Sequence, residues 1–107
     1  MDINYLLDYW KLDEIHIKKA FGKSLKELRK HCNITQQALA EEVLIANQSI
    51  SVYERGESAP TIAQALRITH YFGLTIDDFI IYGLGAQKAF NFDDFEDITA
   101  KYDYENK

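Results

Sequence analysis

The sequence holds one cysteine, one proline and five glycines in 107 residues. The lone Cys32 closes no intramolecular disulfide and cannot build a cysteine-based zinc site, so a reducing cytoplasm is the expected setting. So few chain breakers argue against an all-β sandwich, which needs many tight turns. No apolar run approaches the ~18 residues of a membrane span. Asp2 and Asp8 stand where a secretory leader would carry lysine or arginine, so neither export nor membrane insertion is expected. His16, His31 and His70 are scattered, with no i, i+4 pair to grip a metal. The acids from Asp93 to Asp97 lack the glycine and alternating oxygens of a calcium loop. With no nucleophile and base at a known spacing and no glycine-rich phosphate loop, the chain is expected to be neither an enzyme nor a holder of metal or cofactor.

What is present suits one small domain with a real core, since 47% of the residues are hydrophobic and 13% aromatic. Twelve basic residues against 17 acidic ones give a net charge of −5, which is unpromising for a polyanion ligand. The distribution reverses that reading locally. Lys18, Lys19, Lys23, Lys26, Arg29 and Lys30 face only Glu27, whereas Asp93, Asp94, Glu96 and Asp97 crowd near the C-terminus.

Phe21, Leu25, Leu28 and Cys32 step by four, three and four, which predicts a helix over 18–32 with Cys32 buried on its inner face. Asn33 stops it, Thr35 caps the next, and a second helix over 36–44 buries Leu39, Ala40 and Val43. A short helix follows over 47–54, in which Ile50 and Tyr53 are the i, i+3 apolar pair and nearly everything else is short and polar. After a loop from Gly56 to Pro60, Thr61 caps a helix with Ile62, Leu66, Ile68 and Phe72 as its apolar positions, ended by Gly73. Thr75 caps the last, with Ile76, Phe79, Ile80 and Tyr82 apolar and Asp77 and Asp78 at its dipole-positive end. The expected fold is all-α: a five-helix domain over 18–83, an N-terminal extension over 1–17 suited to an extra helix, and an acidic aromatic extension over 84–107.

Residues 36–55 carry two short helices joined by a three-residue turn. Small Ala40 marks a close helix crossing, while Leu39, Val43, Ile45, Ile50 and Tyr53 supply the inner faces. This is a helix-turn-helix template. It leaves Ala46, Asn47, Gln48, Ser51 and Val52 outward, where amides can pair with adenine, hydroxyls with several bases and a valine with a thymine methyl. The base-reading candidates are therefore Asn47, Gln48, Ser51 and Val52.

The runs Ile34-Thr35-Gln36-Gln37-Ala38-Leu39-Ala40-Glu41, Ile50-Ser51-Val52-Tyr53-Glu54-Arg55-Gly56, Pro60 and Phe72-Gly73-Leu74-Thr75-Ile76-Asp77-Asp78-Phe79 together resemble the phage repressor and Cro type of regulator, called Xre-like. The resemblance spans roughly residues 18–82. It implies a repressor-like regulator that binds double-stranded DNA as a homodimer on a pseudo-palindromic operator, with the helix beginning near Asn47 in the groove. It also implies that Gln36 and Gln37 sit near a phosphate at a helix N-terminus, and that Arg29 pairs with Glu54. Lys23 and Ser49 are the further phosphate candidates. Two positions depart from the pattern. Leu44 replaces the usual turn glycine, and Ala46 replaces the usual Ser or Thr cap, leaving Asn47 as a substitute cap. Tyr5, Leu6, Tyr9 and Trp10, with Phe90, Phe92 and Phe95, are the expected dimer contact. The competing reading is a protein-interaction module of the same fold that does not bind DNA, such as an antitoxin or adaptor component.

Overall fold

Asp13 begins the first helix. Its backbone is extended and its side chain accepts a hydrogen bond from the His16 amide at 2.9 Å, satisfying one of the orphan donors of the first turn. A computed structural model describes residues 13–85; the remainder of both extensions lies outside the described residues. Helix α1 runs Glu14–His31, starting four residues ahead of the expected boundary because Asp13, not the basic run, supplies the cap. Four more follow: α2 over Gln36–Val43, α3 over Asn47–Glu54, α4 over Ile62–Tyr71 and α5 over Ile76–Gly83. The fold is all-α.

Each later helix is set by a local signal. Thr35 accepts from the Ala38 amide at 3.0 Å. Thr61 and Gln64 close a reciprocal capping box, as do Thr75 and Asp78. Gly73, at φ 72°, ends α4 in the left-handed conformation that a residue with a Cβ enters only at a cost.

The five helices enclose one core in which Leu25, Leu28, Leu39, Ile50, Ile68 and Phe79 have no exposed surface. The Phe79 ring sits 5.0 Å from that of Phe21 and 6.1 Å from that of Phe72, so α5 closes the core against α1 and α4. Helix α1 is the spine. Gly22 admits the backbone of α3, since a Cβ there would overlap the Tyr53 carbonyl oxygen, and Gly83 admits α1 in the same way at Ala20. Buried Ser24 ties the α1–α5 contact by donating to the Phe79 carbonyl at 2.6 Å.

Two burial expectations fail. Cys32 is exposed, because the helix ends at His31 and the residue beyond the last turn no longer follows the buried face. Ile62 and Leu66 are 78% and 53% exposed. The buried set on α4 is Ala65, Ile68, Thr69 and Phe72, whose i, i+3, i+4, i+7 spacing centres the inner face away from both.

Candidate nucleic-acid interface

The turn between α2 and α3 keeps its left-handed corner although leucine occupies it. Leu44 has φ 59° and ψ 46° and is 80% exposed. A leucine there costs about 1–2 kcal/mol. The neighbouring chain offsets this: the Ile45 amide reaches back to the Ala40 carbonyl at 3.0 Å, and Arg67 of α4 donates from Nε to the Val43 carbonyl at 2.8 Å. A second guanidinium nitrogen reaches the Leu44 carbonyl at 3.5 Å. A cation thus sits on the carbonyl end of α2, where the helix dipole favours it.

Helix α3 starts without a side-chain cap. Ala46 occupies the cap position, and the Ser49 and Ile50 amides both bond its carbonyl. Asn47 is therefore the first helical residue and not the substitute cap expected from the sequence. Ile50 and Tyr53 face the core, which turns Asn47 and Gln48 into solvent. Ser49, Ser51 and Val52 are half-buried, and Val52 lies against the core. Gln37, Ala40, Glu41 and Leu44 of α2 share a shallow hollow with Ile45 and Asn47, so the start of α3 and the start of α2 border one surface. Lys23 is exposed on α1, next to the glycine where that helix crosses α3.

Behind this face, Glu54 anchors the helix. Arg29 donates to its carboxylate twice, from Nε to Oε2 at 2.5 Å and from Nη2 to Oε1 at 3.0 Å, and from Nη1 to the Ile34 carbonyl at 2.9 Å. The two side chains retain only 12% and 3% exposure. Gln36 joins them, its amide nitrogen donating to Glu54 Oε1 at 3.0 Å. The Gln36 side chain, expected at a phosphate, is thus bound into the network that holds α1, the following turn, α2 and α3 together. Only its backbone amide stands at the open N-terminus of α2. On the other side, the Tyr53 hydroxyl donates to Gln64 Oε1 at 2.5 Å, linking α3 to the capping box of α4.

Arg55 shares the outward stripe of α3, four residues beyond Ser51 and seven beyond Gln48. Its Nη1 donates to Ser51 Oγ at 2.5 Å, and its Nε pairs with Glu57 Oε2 at 2.7 Å. The guanidinium holds the Glu57 carboxyl below the usual carboxylate range. Sequence reasoning assigned no role to Arg55, Arg67 or Gly22. The i+7 step from Gln48 would have flagged Arg55; the other two act through tertiary contacts that no local pattern carries. Among the described residues no cluster of His, Cys, Asp or Glu could hold a metal ion, and no helix is long and apolar enough to cross a membrane.

This arrangement, a locked left-handed turn presenting a short polar helix, has relatives. Residues 25–79 match the helix-turn-helix family. The chain belongs to that family. Within it, this helix-turn-helix chain is 36% identical over 58 residues to an HTH-type transcriptional regulator of Methanocaldococcus jannaschii, a match covering 54% of the chain and 88% of the relative. It is 33% identical over 60 residues to the transcriptional activator BcrR of Enterococcus faecalis, covering 56% of the chain but 29% of BcrR. The regulator ImmR of Bacillus subtilis is 33% identical over 58 residues, 54% of this chain and 46% of ImmR. The crystal structure of the clp gene regulator ClgR of Corynebacterium glutamicum shares the fold, with a TM-score of 0.60 at 21% identity over 84% of this chain and 87% of that one. The chain is an Xre-type helix-turn-helix regulator.

Proposed function

We propose that the chain binds double-stranded DNA sequence-specifically as a homodimer on a pseudo-palindromic operator and represses transcription by occupying it. The observation that carries this reading is the outward stripe of α3. Gln48 stands exposed on a helix whose other face is fixed by the core and by the Glu54 network, so its amide is presented to a groove on a rigid support. Asn47, Ser51 and Val52 complete the base-facing set. The open N-terminus of α2, with the Gln36 backbone amide and the Gln37 side chain, faces a phosphate, joined by Lys23 and Ser49. Domain boundaries follow the same logic: the helix-turn-helix unit reads DNA, and the extensions before and after it serve other purposes.

Two copies are needed because one α3 offers only a few base-reading side chains. A genome demands two such helices about one DNA turn, ~34 Å, apart. Repression follows from occupancy alone. The activator name of BcrR describes a protein of which the match covers 29%.

Selection of bound sequences from a random duplex library, followed by mobility-shift titration at about 50 and 200 mM salt, tests the reading. Expected are an enriched inverted repeat and an affinity that falls steeply with salt, as release of counterions from neutralised phosphates requires. No enrichment and no salt dependence would assign the chain to protein interaction instead. Light scattering at the same concentrations reads the dimer.

A further inference from the structure

A groove of about 470 Å³ opens on the domain, walled by Ile17 and Phe21 of α1, Pro60, Ile62 of α4, and Ile76 and Ile80 of α5. Its lining is almost wholly apolar. Ile62 is 78% exposed there, a large hydrophobe at the lip of an open apolar surface. We propose that residues 1–12 of the same chain occupy this groove, with Trp10 seated in it.

Three observations select that occupant. Asp13 is the N-cap of α1, which makes Leu12 the preceding residue and Ile17 the fourth helical one. Those are the two sequence positions between which a hydrophobic staple fixes how a chain approaches a helix, both are apolar here, and Ile17 is itself a wall of the groove. The staple therefore aims the segment at the groove rather than away from it.

Composition agrees. Residues 1–12 include Ile3, Tyr5, Leu6, Leu7, Tyr9 and Trp10 ahead of Leu12, and carry charge only at Asp2, Asp8 and Lys11. The competing segment of this chain, around Phe90, Phe92 and Phe95, is interleaved with Asp93, Asp94, Glu96 and Asp97, whose four charges a groove holding one cation, Lys18, and one anion, Asp77, does not offset. Length also suffices. Ten residues reach about 15 Å as a helix and twice that when extended, against the 8–10 Å that separates packed helices. The N-terminal segment thus completes the core of its own domain and is not free to form the interface between two copies.

Trp10 is the chain's only tryptophan, so selective excitation of the full-length protein reads this segment alone. The expected result is blue-shifted emission and weak acrylamide quenching, both unchanged on dilution. Ile62→Glu, at a position the core does not use, and Leu12→Ser, which removes the staple, should each shift the emission to the red and raise the quenching constant several-fold, with helical circular dichroism retained. Solvated Trp10 emission in the unaltered protein overturns the proposal, as does protection that survives both substitutions. Protection that disappears on dilution, together with the oligomer, assigns the groove to a second copy and overturns it equally.

Discussion

The Gly22 α-carbon faces the Tyr53 carbonyl oxygen so closely that no Cβ fits between them. Two opposed effects meet at this residue. Alanine is favoured over glycine inside a helix by about 1 kcal/mol. Overpacking costs about 1–3 kcal/mol or more, and the obstacle here is backbone, which cannot rotate away as a side chain can. Gly22→Ala should therefore lower stability, seen as a reduced denaturant midpoint, and should weaken DNA binding by displacing α3. An increase in midpoint would show that α1 and α3 are not held at this distance.

The Arg29–Glu54 pair is nearly dry, and each charge has the other as its ionic partner, with the Ile34 carbonyl and the Gln36 amide completing the network. Removing Arg29 leaves a buried carboxylate short of donors, and neutralising Glu54 leaves a buried guanidinium without its counter-ion, each at a cost of about 3–5 kcal/mol. Gln36 retains one hydrogen bond to Glu54, so Arg29→Met should fall toward the lower end of that range. Denaturant titration of Arg29→Met, Glu54→Gln and the double variant should yield a coupling of at least about 1 kcal/mol. Strict additivity would deny the pair any energetic role.

Much of this was legible in the sequence for a physical reason. Helix α3 is largely polar, so Ile50 and Tyr53 mark its inner face and Asn47 and Gln48 fall on the outer one, whereas Val52, expected outward, is half-buried against the core. The caps at Thr35, Thr61 and Thr75 are local hydrogen bonds within one turn, and the sequence carries them directly. Arg67 on the α2 carbonyls, Gln64 on Tyr53 and Gln36 on Glu54 are different in kind. Each joins elements whose mutual placement is settled only when the core packs. Cys32 lies one residue past the end of its helix, where the helical period no longer applies, and Ile62 is hydrophobic without facing the core.

Leu44 offers a gain in stability. Its left-handed backbone costs about 1–2 kcal/mol, and Leu44→Gly recovers this less the ~0.4–1 kcal/mol by which glycine enlarges the entropy of the unfolded chain. With 80% of the side chain exposed, little packing is lost. The expected net change runs from none to a gain of about 1.5 kcal/mol. Arg67→Ala should act oppositely, losing about 1 kcal/mol as the α2 carbonyls lose their cation. Thermal melts of both variants decide; a destabilised Leu44→Gly would mean that the leucine side chain holds the turn.

Base reading and phosphate gripping should separate cleanly. Gln48→Ala is expected to cost about 1–3 kcal/mol on the selected operator and almost nothing on random duplex. Lys23→Ala should weaken both equally and reduce the salt slope by about one unit. Equal losses for Gln48→Ala on the two DNAs would make it a positioning contact.

The last expectation concerns Glu57, which holds Arg55 and, through it, Ser51. With 52% and 57% of the two side chains exposed, the pair adds little to stability, at most about 1 kcal/mol. Its effect is on what the α3 stripe offers to DNA. Paired, the guanidinium is partly neutralised and its donation to the Ser51 oxygen holds that hydroxyl in place on the stripe. Glu57→Gln removes a negative charge beside the proposed DNA face and frees Arg55 to meet a phosphate. Affinity for random duplex should rise by roughly tenfold or less, and the slope of log affinity against log salt should steepen by about 0.9, the value for one added phosphate contact. Preference for the selected operator should fall at the same time, because non-specific binding rises while Ser51 loses its fixed orientation. Mobility-shift titrations across a salt series read both quantities, and an unchanged slope would show that Arg55 never leaves Glu57 for the backbone.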